Sequence, residues 1–454
     1  MAEYLTNTTD LTKVASAIRE KGGTSDSLVY PDGFVSAIQD IQTGTELQII
    51  VTVESGATVN ATKGSLSVSG TSVNGTCTLI VPEAGTWSVK ATLSGQTSNT
   101  KNITFTDSYT TSLTFFNATI TVTVDSGASV TLKKGGTTIA TKTSNGTAVF
   151  TVTETGEYTV TATKNGQTTS GSVNVVSGTT SYSLTLSFVS STLNNNEWSM
   201  IRSVSDAGQG ENYWSIGDRK EVTLNGTVGH LSLSNYTTYA FIIGFNHNAS
   251  VEGTNRIHFQ LAKTALSGGT DVCFCDNQYG PDSGWSRPGA GYFVMNASNE
   301  NFLGWQGSQM RTNICGTSLS SYSGTIIAVI PDSLRAVLKS VTKYTDNIAN
   351  GNGHDPDQVR ATTDYFFLLS EFEVFGRISY GNLREKDKQA QYAYYSAGNS
   401  KIKYKHNGTS TAAGWWLRSP EAGSSSHFTL VYTGGQIASE IPTVSYGFTP
   451  GFCV

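Results

Sequence analysis

Apolar residues near the N-terminus recur at the spacing of an α-helix. Asp10 is a good N-cap for one helix, and Gly22 followed by Gly23 ends it. A turn at residues 30–33 leads into a second, shorter helix. The residues that share the inner faces of these helices are Leu11, Val14, Ile18, Phe34, Ile38 and Ile41. The pattern predicts a helical hairpin over residues 1–43. A unit this small needs a partner to stay folded, either copies of itself, another protein or the β domain that follows.

From Leu47 the pattern changes to strict alternation of apolar and polar residues, which is typical of half-buried strands. The stretch that begins at Val51 returns at Val122, 71 residues later, and the same offset relates Gly85 to Gly156. Because the match continues without gaps through the whole segment, it indicates a tandem duplication. Each repeat, 46–117 and 118–188, is predicted to be a small immunoglobulin-like β-sandwich. Neither contains a histidine or a carboxylate cluster, so their expected role is to set distance and stiffness.

A polar hinge is predicted at residues 190–196, and the composition changes after it. Six of the seven tryptophans and all six histidines follow this point, so residues 197–454 are predicted to form one aromatic-rich α+β domain. The segments predicted as strands are 218–224, 239–245, 256–261, 364–369, 428–432 and the C-terminal residues. One helix is predicted after Pro331, with Leu334, Val337, Leu338 and Val341 on one face.

Composition supports a folded, mostly β, multidomain chain. Charged residues make up 14% of the 454 residues and 47 are glycine, while 10% aromatic residues argue against disorder. The net charge is −5 and no run of Lys or Arg occurs, so we expect no nucleic-acid partner. No segment approaches the roughly 20 apolar residues that span a bilayer. The N-terminus lacks signal-peptide features, so we expect synthesis in a cytosol and no membrane contact.

The candidate chemistry of the chain is sparse. The five cysteines are Cys77, Cys273, Cys275, Cys315 and Cys453, and their spacing favours small buried hydrophobic residues over disulfides or zinc ligands. The acidic stretch 350–357 lacks the spacing of a calcium loop, so a solvated loop is favoured and no metal or other cofactor is predicted. No nucleophile elbow or other diagnostic catalytic run occurs, and no catalytic residue is predicted.

Several motifs in the C-terminal part resemble a known family. The motifs include residues 213–218, 242–247, 305–311, 330–334, 367–374, 415–420 and 450–454. Over about residues 197–454 they resemble the DUF6273 family, a domain common in prophages and surface proteins of Gram-positive gut bacteria. The resemblance implies a C-type-lectin-like, formylglycine-enzyme-like fold. The cysteine pair of the enzymes in that group cannot be placed here, so their activity is not carried over.

The first 43 residues also resemble a module found in structural proteins of phages that infect such bacteria, around residues 17–24 and 30–34. Together the resemblances imply a non-enzymatic tail fibre or receptor-binding adhesin located in the virion. The six inner-face residues of the helical hairpin would attach it to tail or baseplate proteins. The C-terminal domain would bind a bacterial surface glycan or protein. A homo-oligomer is expected, with a trimer favoured. The alternatives are a structural tail or baseplate component, a bacterial cell-surface adhesin and, as the least favoured class, a cell-wall depolymerase.

Binding residues are expected in long loops that are aromatic and polar without periodicity, because rigid scaffolds present binding groups on loops. The candidates are Tyr279, Trp285, Tyr292, Glu421, Ser424, His427, Tyr432 and Tyr446. Ordinary loop packing remains the alternative for each one. Trp415 and Trp416 are predicted to be core residues of closing strands, since neighbours on a strand point to opposite sides. Arg311 and Arg418 are predicted to pair internally with carboxylates such as Glu371.

Overall fold

The computed structural model describes residues 8–22, 25, 27–39, 46–351 and 353–454. They fall into two compact units, Met1–Phe188 and Val189–Val454. Most regular structure is β-strand, as predicted. No helix in the described ranges is long and apolar enough to cross a membrane.

The first unit begins with two helices, α1 (Thr8–Gly22) and α2 (Asp32–Gln39). Their shared core is small. Ala15, Ile18 and Phe34 are buried, and Leu11, Leu28 and Ala37 pack against them. Val14 and Ile38, predicted on the inner face, are 49% and 54% exposed, so that part of the prediction is wrong. The physical reason is that Ala15, a smaller residue one position further along the helix, lies against α2. Ile41 lies outside the described residues.

The first repeat is a sandwich of two sheets. One sheet has the order β4-β1-β8, and the other has the order β3-β2-β5-β6, with β7 also paired to β5. The strands are β1 (Gln48–Thr52), β2 (Thr58–Lys63), β3 (Leu66–Thr71), β4 (Thr76–Ile80), β5 (Gly85–Leu93), β6 (Gln96–Thr97), β7 (Lys101–Phe105) and β8 (Tyr109–Ser112). Alternate residues of β4 and β5 are buried, which confirms the predicted alternation.

The second repeat has the same arrangement, with sheets ordered β12-β9-β15 and β11-β10-β13-β14. Its strands are β9 (Ala118–Thr123), β10 (Ser129–Lys134), β11 (Thr137–Thr143), β12 (Thr147–Val152), β13 (Gly156–Lys164), β14 (Gln167–Val175) and β15 (Ser181–Thr185). Even an ion pair recurs at the repeat offset. Lys63 pairs with Glu83 in the first repeat, and Lys134 pairs with Glu154 in the second. The predicted duplication and the immunoglobulin-like sandwiches are confirmed.

The second unit is built around a five-stranded sheet in the order β16-β17-β18-β28-β22. Three smaller sheets surround it, ordered β19-β23-β24, β20-β21 and β25-β26-β27. The strands are β16 (Arg219–Val228), β17 (Leu231–Phe245), β18 (Ile257–Lys263), β19 (Val272–Cys273), β20 (Val341–Asp346), β21 (Val359–Asp364), β22 (Phe366–Phe367), β23 (Lys403–Lys405), β24 (Gly408–Ala413), β25 (Trp415–Pro420), β26 (Phe428–Val431), β27 (Ile437–Glu440) and β28 (Gly451–Cys453). The last strand lies inside the main sheet.

The helices of this unit are short. They are α3 (Trp198–Asp206), α4 (Gly210–Tyr213), α5 (Ala249–Glu252), α6 (Gly304–Gly307), α7 (Ile326–Val329), α8 (Asp332–Arg335), α9 (Glu371–Phe375) and α10 (Ala393–Ser396), with 3-10 turns at Leu193–Asn195, Pro356–Gln358 and Leu383–Asp387 and a π-helical turn at Met310–Cys315. The predicted helix after Pro331 is therefore wrong beyond Arg335. Leu334, Val337 and Leu338 are buried by a short turn, and Val341 begins β20.

Two sequence predictions about single residues hold. Trp415 and Trp416 are both fully buried, so the tryptophan pair belongs to the core. All five cysteines of the chain are free and buried. The predicted hinge at 190–196 is instead folded onto the unit. The Asn196 side-chain amide donates to the carbonyls of Ser190, Thr192 and Leu193, and the Trp214 indole donates to Ser190 as well.

Candidate functional site

A cluster of charged side chains lies in the interior of the C-terminal unit. The Lys343 ammonium donates hydrogen bonds to Glu252 Oε2 at 2.6 Å, Glu373 Oε1 at 2.9 Å and the Tyr392 hydroxyl at 2.8 Å. Arg418 completes the cluster, since its guanidinium pairs with both oxygens of Glu373. Two cations therefore face two carboxylates, which balances charges that would be costly to bury alone.

The cluster also contains a possible set of metal ligands, but a cation already occupies the space between them. His247, Glu252 and Glu373 offer ligand atoms that lie within 4.8 Å of one another. The Lys343 ammonium contacts both of these carboxylates, so a metal ion would have to displace it. Burial raises the pKa of Glu252 to about 7 and lowers the pKa of His247 to about 3. These groups act as internal structural supports.

The two arginines that the sequence assigned to internal pairing do pair internally. Arg311 Nε donates to Asp364 Oδ1 at 2.6 Å, and Arg418 binds Glu373. The carboxylate suggested from sequence, Glu371, has a different role. It is 1% exposed and accepts hydrogen bonds from the backbone N–H groups of Ser379, Tyr380 and Gly381. Glu371 therefore holds the loop that follows α9.

An exposed aromatic surface is the first candidate for ligand contact. Trp285 is 43% exposed and Tyr432 is 36% exposed. The Trp285 ring centroid lies 5.8 Å from that of Tyr446. Burial raises the pKa of Tyr446, and the nearby Glu440, Tyr279 and Tyr432 add to the shift. Trp285 thus lies beside one buried ring, and Tyr432 is close enough to influence the pKa of that ring's hydroxyl. We call the two exposed side chains, Trp285 and Tyr432, the aromatic surface.

The base beneath the aromatic surface is rigid. Tyr279 and Tyr446 are each 1% exposed and pack edge to face at 5.9 Å. The Tyr279 hydroxyl accepts a hydrogen bond from Gly414 N–H at 2.8 Å. Tyr279 and Tyr446 were predicted as contact residues, and their burial shows that they can only support a contact made by others. The reason is that each ring fills the core beneath the loop that carries it.

Trp285 has an unusual backbone conformation. Its φ is 65°, a left-handed value that is rare for a bulky residue. The Trp285 N–H donates to the Gly280 carbonyl at 2.6 Å, and Gly280 N–H donates to the Ser445 carbonyl at 2.8 Å. Backbone strain of this kind persists where the surroundings impose it, and it occurs often at binding sites. The loop thus holds the indole ring in an exposed position.

The predicted residues Glu421, Ser424 and His427 form a second group on the loop 421–427. All three are half-buried. The Asn301 amide nitrogen donates to the backbone carbonyls of Ser424 at 2.7 Å and His427 at 2.9 Å, and more distantly to that of Glu421 at 3.4 Å. Next to Asn301, Phe302 and Leu303 are 58% and 45% exposed. Asn301 thus holds the loop 421–427 in place, and exposed apolar side chains lie beside Asn301.

Ser424 and His427 are close enough to invite a catalytic interpretation. Ser424 Oγ lies 2.9 Å from His427 Nδ1, but it also accepts a hydrogen bond from Ser426 N–H. Within the described part of the chain, no carboxylate pairs with His427 to orient its ring, as a catalytic triad requires. The contact therefore closes the loop. The last predicted residue, Tyr292, is half-buried and stacks on His230 with ring centroids 4.2 Å apart.

Sequence reasoning missed the residues that organise these surfaces. Asn301 is one amide in a loop without periodicity, and nothing in its neighbours indicates that it binds a segment 120 residues away. Lys343 lies in a strand whose other residues are mostly polar, so its burial could not be predicted from the sequence either. The only usable signal was the capping box at Ser370 and Glu373, which marks the start of α9.

Comparison with known proteins supports the C-terminal resemblance in part. A family model described as Domain of unknown function (DUF6273) matches residues 293–454. This part lies within the second unit, and residues 197–292 lie outside the match. No curated protein matches the chain. The likeness of the unit to C-type lectins stays a prediction.

Three solved structures are similar to parts of the chain. The Bacillus anthracis TIE protein is 13% identical with a TM-score of 0.15, and the match covers 42% of this chain and 41% of that protein. A streptococcal ancillary pilin is 10% identical with a TM-score of 0.18 and coverages of 32% and 64%. The group B streptococcus pilus 2b backbone protein is 11% identical with a TM-score of 0.15 and coverages of 31% and 80%. This chain thus spans less than two thirds of the first two proteins, and TM-scores this low carry no argument about function.

Proposed function

We propose that this chain is a tail adhesin of a phage that infects a Gram-positive bacterium. Its C-terminal unit binds a bacterial surface receptor, with a glycan as the preferred class, and no catalysis is involved. The protein is made in the host cytoplasm and acts in the virion. The proposal rests on the two sequence resemblances and on the order of the parts, with a helical pair first, two spacer repeats next and the aromatic-rich unit last.

The aromatic surface is the observation that supports a glycan best. The flat face of an aromatic ring can stack against the C–H groups of a sugar ring, and Trp and Tyr give large contact area at little entropic cost. Trp285 and Tyr432 are exposed, while Tyr446 beside Trp285 is buried and packs against the buried Tyr279. A pre-ordered surface of this kind loses little freedom when a ligand binds.

The helical pair supports attachment through its exposed apolar residues. Val14, Val35 and Ile38 are about half exposed, and Val29 and Tyr30 are exposed further. A core of three buried residues is too small for independent stability, so this surface needs a partner. We assign that partner to tail or baseplate proteins, with a homotrimer as the favoured assembly. This assignment uses a different surface from the receptor contact and can be tested separately.

Removal of the aromatic surface tests receptor binding. We expect the double variant W285A/Y432A to bind host cells at least tenfold more weakly than the wild-type chain, because exposed aromatic anchors often contribute about 2 kcal/mol each. Binding of labelled protein to cells is the measurement. The matched control is Y109A/L266A, which removes two exposed apolar side chains elsewhere. Equal binding by the wild-type chain and W285A/Y432A, with thermal unfolding unchanged, would remove the aromatic surface from the proposal.

A further inference from the structure

In the segment 371–388 the numbers of acidic and basic residues are equal, but the exposed charges are mostly positive. It contains four acidic residues and four basic residues, so its formal charge is zero. Three of its carboxylates, those of Glu371, Glu373 and Glu385, are no more than 1% exposed. The basic residues of the segment are all exposed, and they are Arg377, Arg384, Lys386 and Lys388. We call these four side chains the basic strip.

Each buried carboxylate is fully engaged inside the protein. Glu371 binds the backbone of residues 379–381, and Glu373 binds Lys343 and Arg418. Glu385 accepts from the N–H of Asp346 at 2.9 Å and from the Ser419 hydroxyl at 2.6 Å. Burial raises the pKa of Glu371, and it raises the pKa of Glu385 to about 7, which reduces the negative charge of Glu385 at neutral pH. These groups cannot screen the basic strip from outside.

One carboxylate of the segment remains at the surface. Asp387 lies 3.8 Å from Arg384, with both side chains about half exposed. Four cations and one anion give the exposed side chains of this segment three net positive charges, in a chain whose net charge is −5. The facing loop adds the exposed Asp355 and Asp357 beside Asn382. The two carboxylates of that loop reduce the positive potential around Asn382.

Apolar side chains and a second loop adjoin the basic strip. Tyr380 and Leu383 are 37% and 41% exposed within the same segment. The Tyr380 carbonyl accepts a hydrogen bond from Ala422 N–H at 2.9 Å, which connects the segment to the loop 421–427. The segment is fixed in shape, because Glu371 holds its first half and Glu385 anchors the 3-10 turn Leu383–Asp387. A ligand would meet charge and apolar area together.

We infer that the basic strip binds an anionic glycan, one whose repeating units carry phosphodiester or carboxylate groups. Arginine forks bind phosphate and carboxylate oxygens with two parallel hydrogen bonds, and lysines add charge without fixed geometry. Tyr380 and Leu383 contact the sugar or polyol part. The inference rests on the proposed adhesin function and deepens it by naming the charge of the receptor. The sequence has no run of Lys or Arg, and this basic surface arises because the fold buries three of the carboxylates that lie between the basic residues or next to them.

The test measures binding of the full chain to immobilised poly(glycerol phosphate), polygalacturonate and neutral dextran at several salt concentrations. We expect binding to one or both anionic polymers and none to dextran. With about three charges neutralised, affinity should fall on the order of tenfold between 50 and 200 mM salt. The two anionic polymers distinguish phosphate from carboxylate as the recognised group.

Matched variants locate the binding surface. We expect K386E/K388E to abolish most of the binding and its salt dependence, and D387N to strengthen binding a few-fold. The control K90E/K101E makes the same charge change in the first repeat and should bind as wild type does. Each variant should unfold at the wild-type temperature, because the altered side chains are at least partly exposed.

Three results would overturn the inference. The first is equal loss of binding in K386E/K388E and the control, which would mean that only net charge matters. The second is binding to single-stranded DNA as tight as to either glycan. The third is absence of binding to both anionic polymers by a chain that does bind host cells. That last result would leave the proposed adhesin function intact and would reject the anionic receptor alone.

Discussion

At the scale of single residues, His406 of the C-terminal unit is buried and has a lowered pKa. His406 is 9% exposed, and its Nδ1 accepts a hydrogen bond from Cys275 N–H at 3.1 Å. Burial lowers the pKa of His406 to about 4, and the neighbouring Lys405 adds to the shift. Because an accepting Nδ1 must be unprotonated, the hydrogen bond and the low pKa are two expressions of the same environment.

This environment predicts a pH dependence of stability. The unfolded chain protonates His406 below its ordinary pKa of 6.5, whereas the folded protein does so only near 4. Falling pH therefore favours the unfolded state between these values, and rising pH through the same window restores stability. Between pH 7 and pH 5 we expect His406 to account for about 2 kcal/mol of lost stability. Urea denaturation of the wild-type chain and of H406N at both pH values checks this.

The comparison uses the change in unfolding free energy between pH 7 and pH 5, so any loss of stability that the substitution causes at both pH values cancels. H406N should show a smaller decrease in stability from pH 7 to pH 5 than the wild-type chain. Glu252 and Glu385 shift in the opposite direction, since burial raises the pKa of each to about 7, and they oppose the histidines in both proteins. A variant whose pH dependence equals that of the wild type would show that His406 does not contribute.

At the scale of elements, Arg418 connects β25 to three other parts of the unit. Its guanidinium donates to Glu373 of α9, to the Thr345 hydroxyl of β20 and to the Leu368 carbonyl that follows β22. Replacement by methionine keeps much of the side-chain volume but removes the partner of a fully buried carboxylate. Removing one member of a buried pair typically costs about 3–5 kcal/mol. We therefore expect R418M to lower the unfolding free energy of this unit by that amount.

Thermal and urea unfolding of R418M measure the loss, and R360M supplies the control because Arg360 is exposed. R360M should change stability by less than about 0.5 kcal/mol. An R418M protein as stable as R360M would mean that Lys343 alone suffices to balance Glu373. K343M should then be the more damaging substitution, and the same measurement would show it.

Elements that obey a simple period could be predicted from the sequence. The repeats keep period 2 through β4, β5, β12 and β13, so their strands and their duplication were evident. The residues after Pro331 show that helical spacing of apolar residues does not always indicate a helix. Leu334, Leu338 and Val341 have helical spacing, but a short turn leading into a buried strand places all three in the core as well. The spacing of apolar residues indicates which residues are buried, but two different backbone conformations can bury the same residues.

The candidate surfaces were predictable only in outline. The search for aromatic contact residues selected Trp285 and Tyr432, which are exposed, and also Tyr279 and Tyr446, which are buried. Residue type cannot separate the two pairs, because all four residues are aromatic. The basic strip was invisible for a related reason. Its charge depends on which carboxylates turn inward, and contacts such as that of Glu385 with Asp346 and Ser419 decide this.

At the scale of the whole molecule, the candidate binding surfaces and the two β-sandwich repeats lie in different parts of the chain. Each of the two repeats in the first unit has an apolar core, and its strands are rich in Thr and Ser. The C-terminal unit carries the buried charge cluster, the aromatic surface and the basic strip. The proposed adhesin function accounts for this division, since it assigns binding to one part of the chain and spacing to another.

Competition for adsorption tests this account most directly. Host cells are saturated with a purified protein comprising residues 189–454, and adsorption of the phage particle that carries the chain is then measured. The account predicts saturable inhibition of adsorption, with little or none by the same protein carrying W285A/Y432A. Undiminished adsorption of the particle in the presence of saturating, folded protein would contradict it.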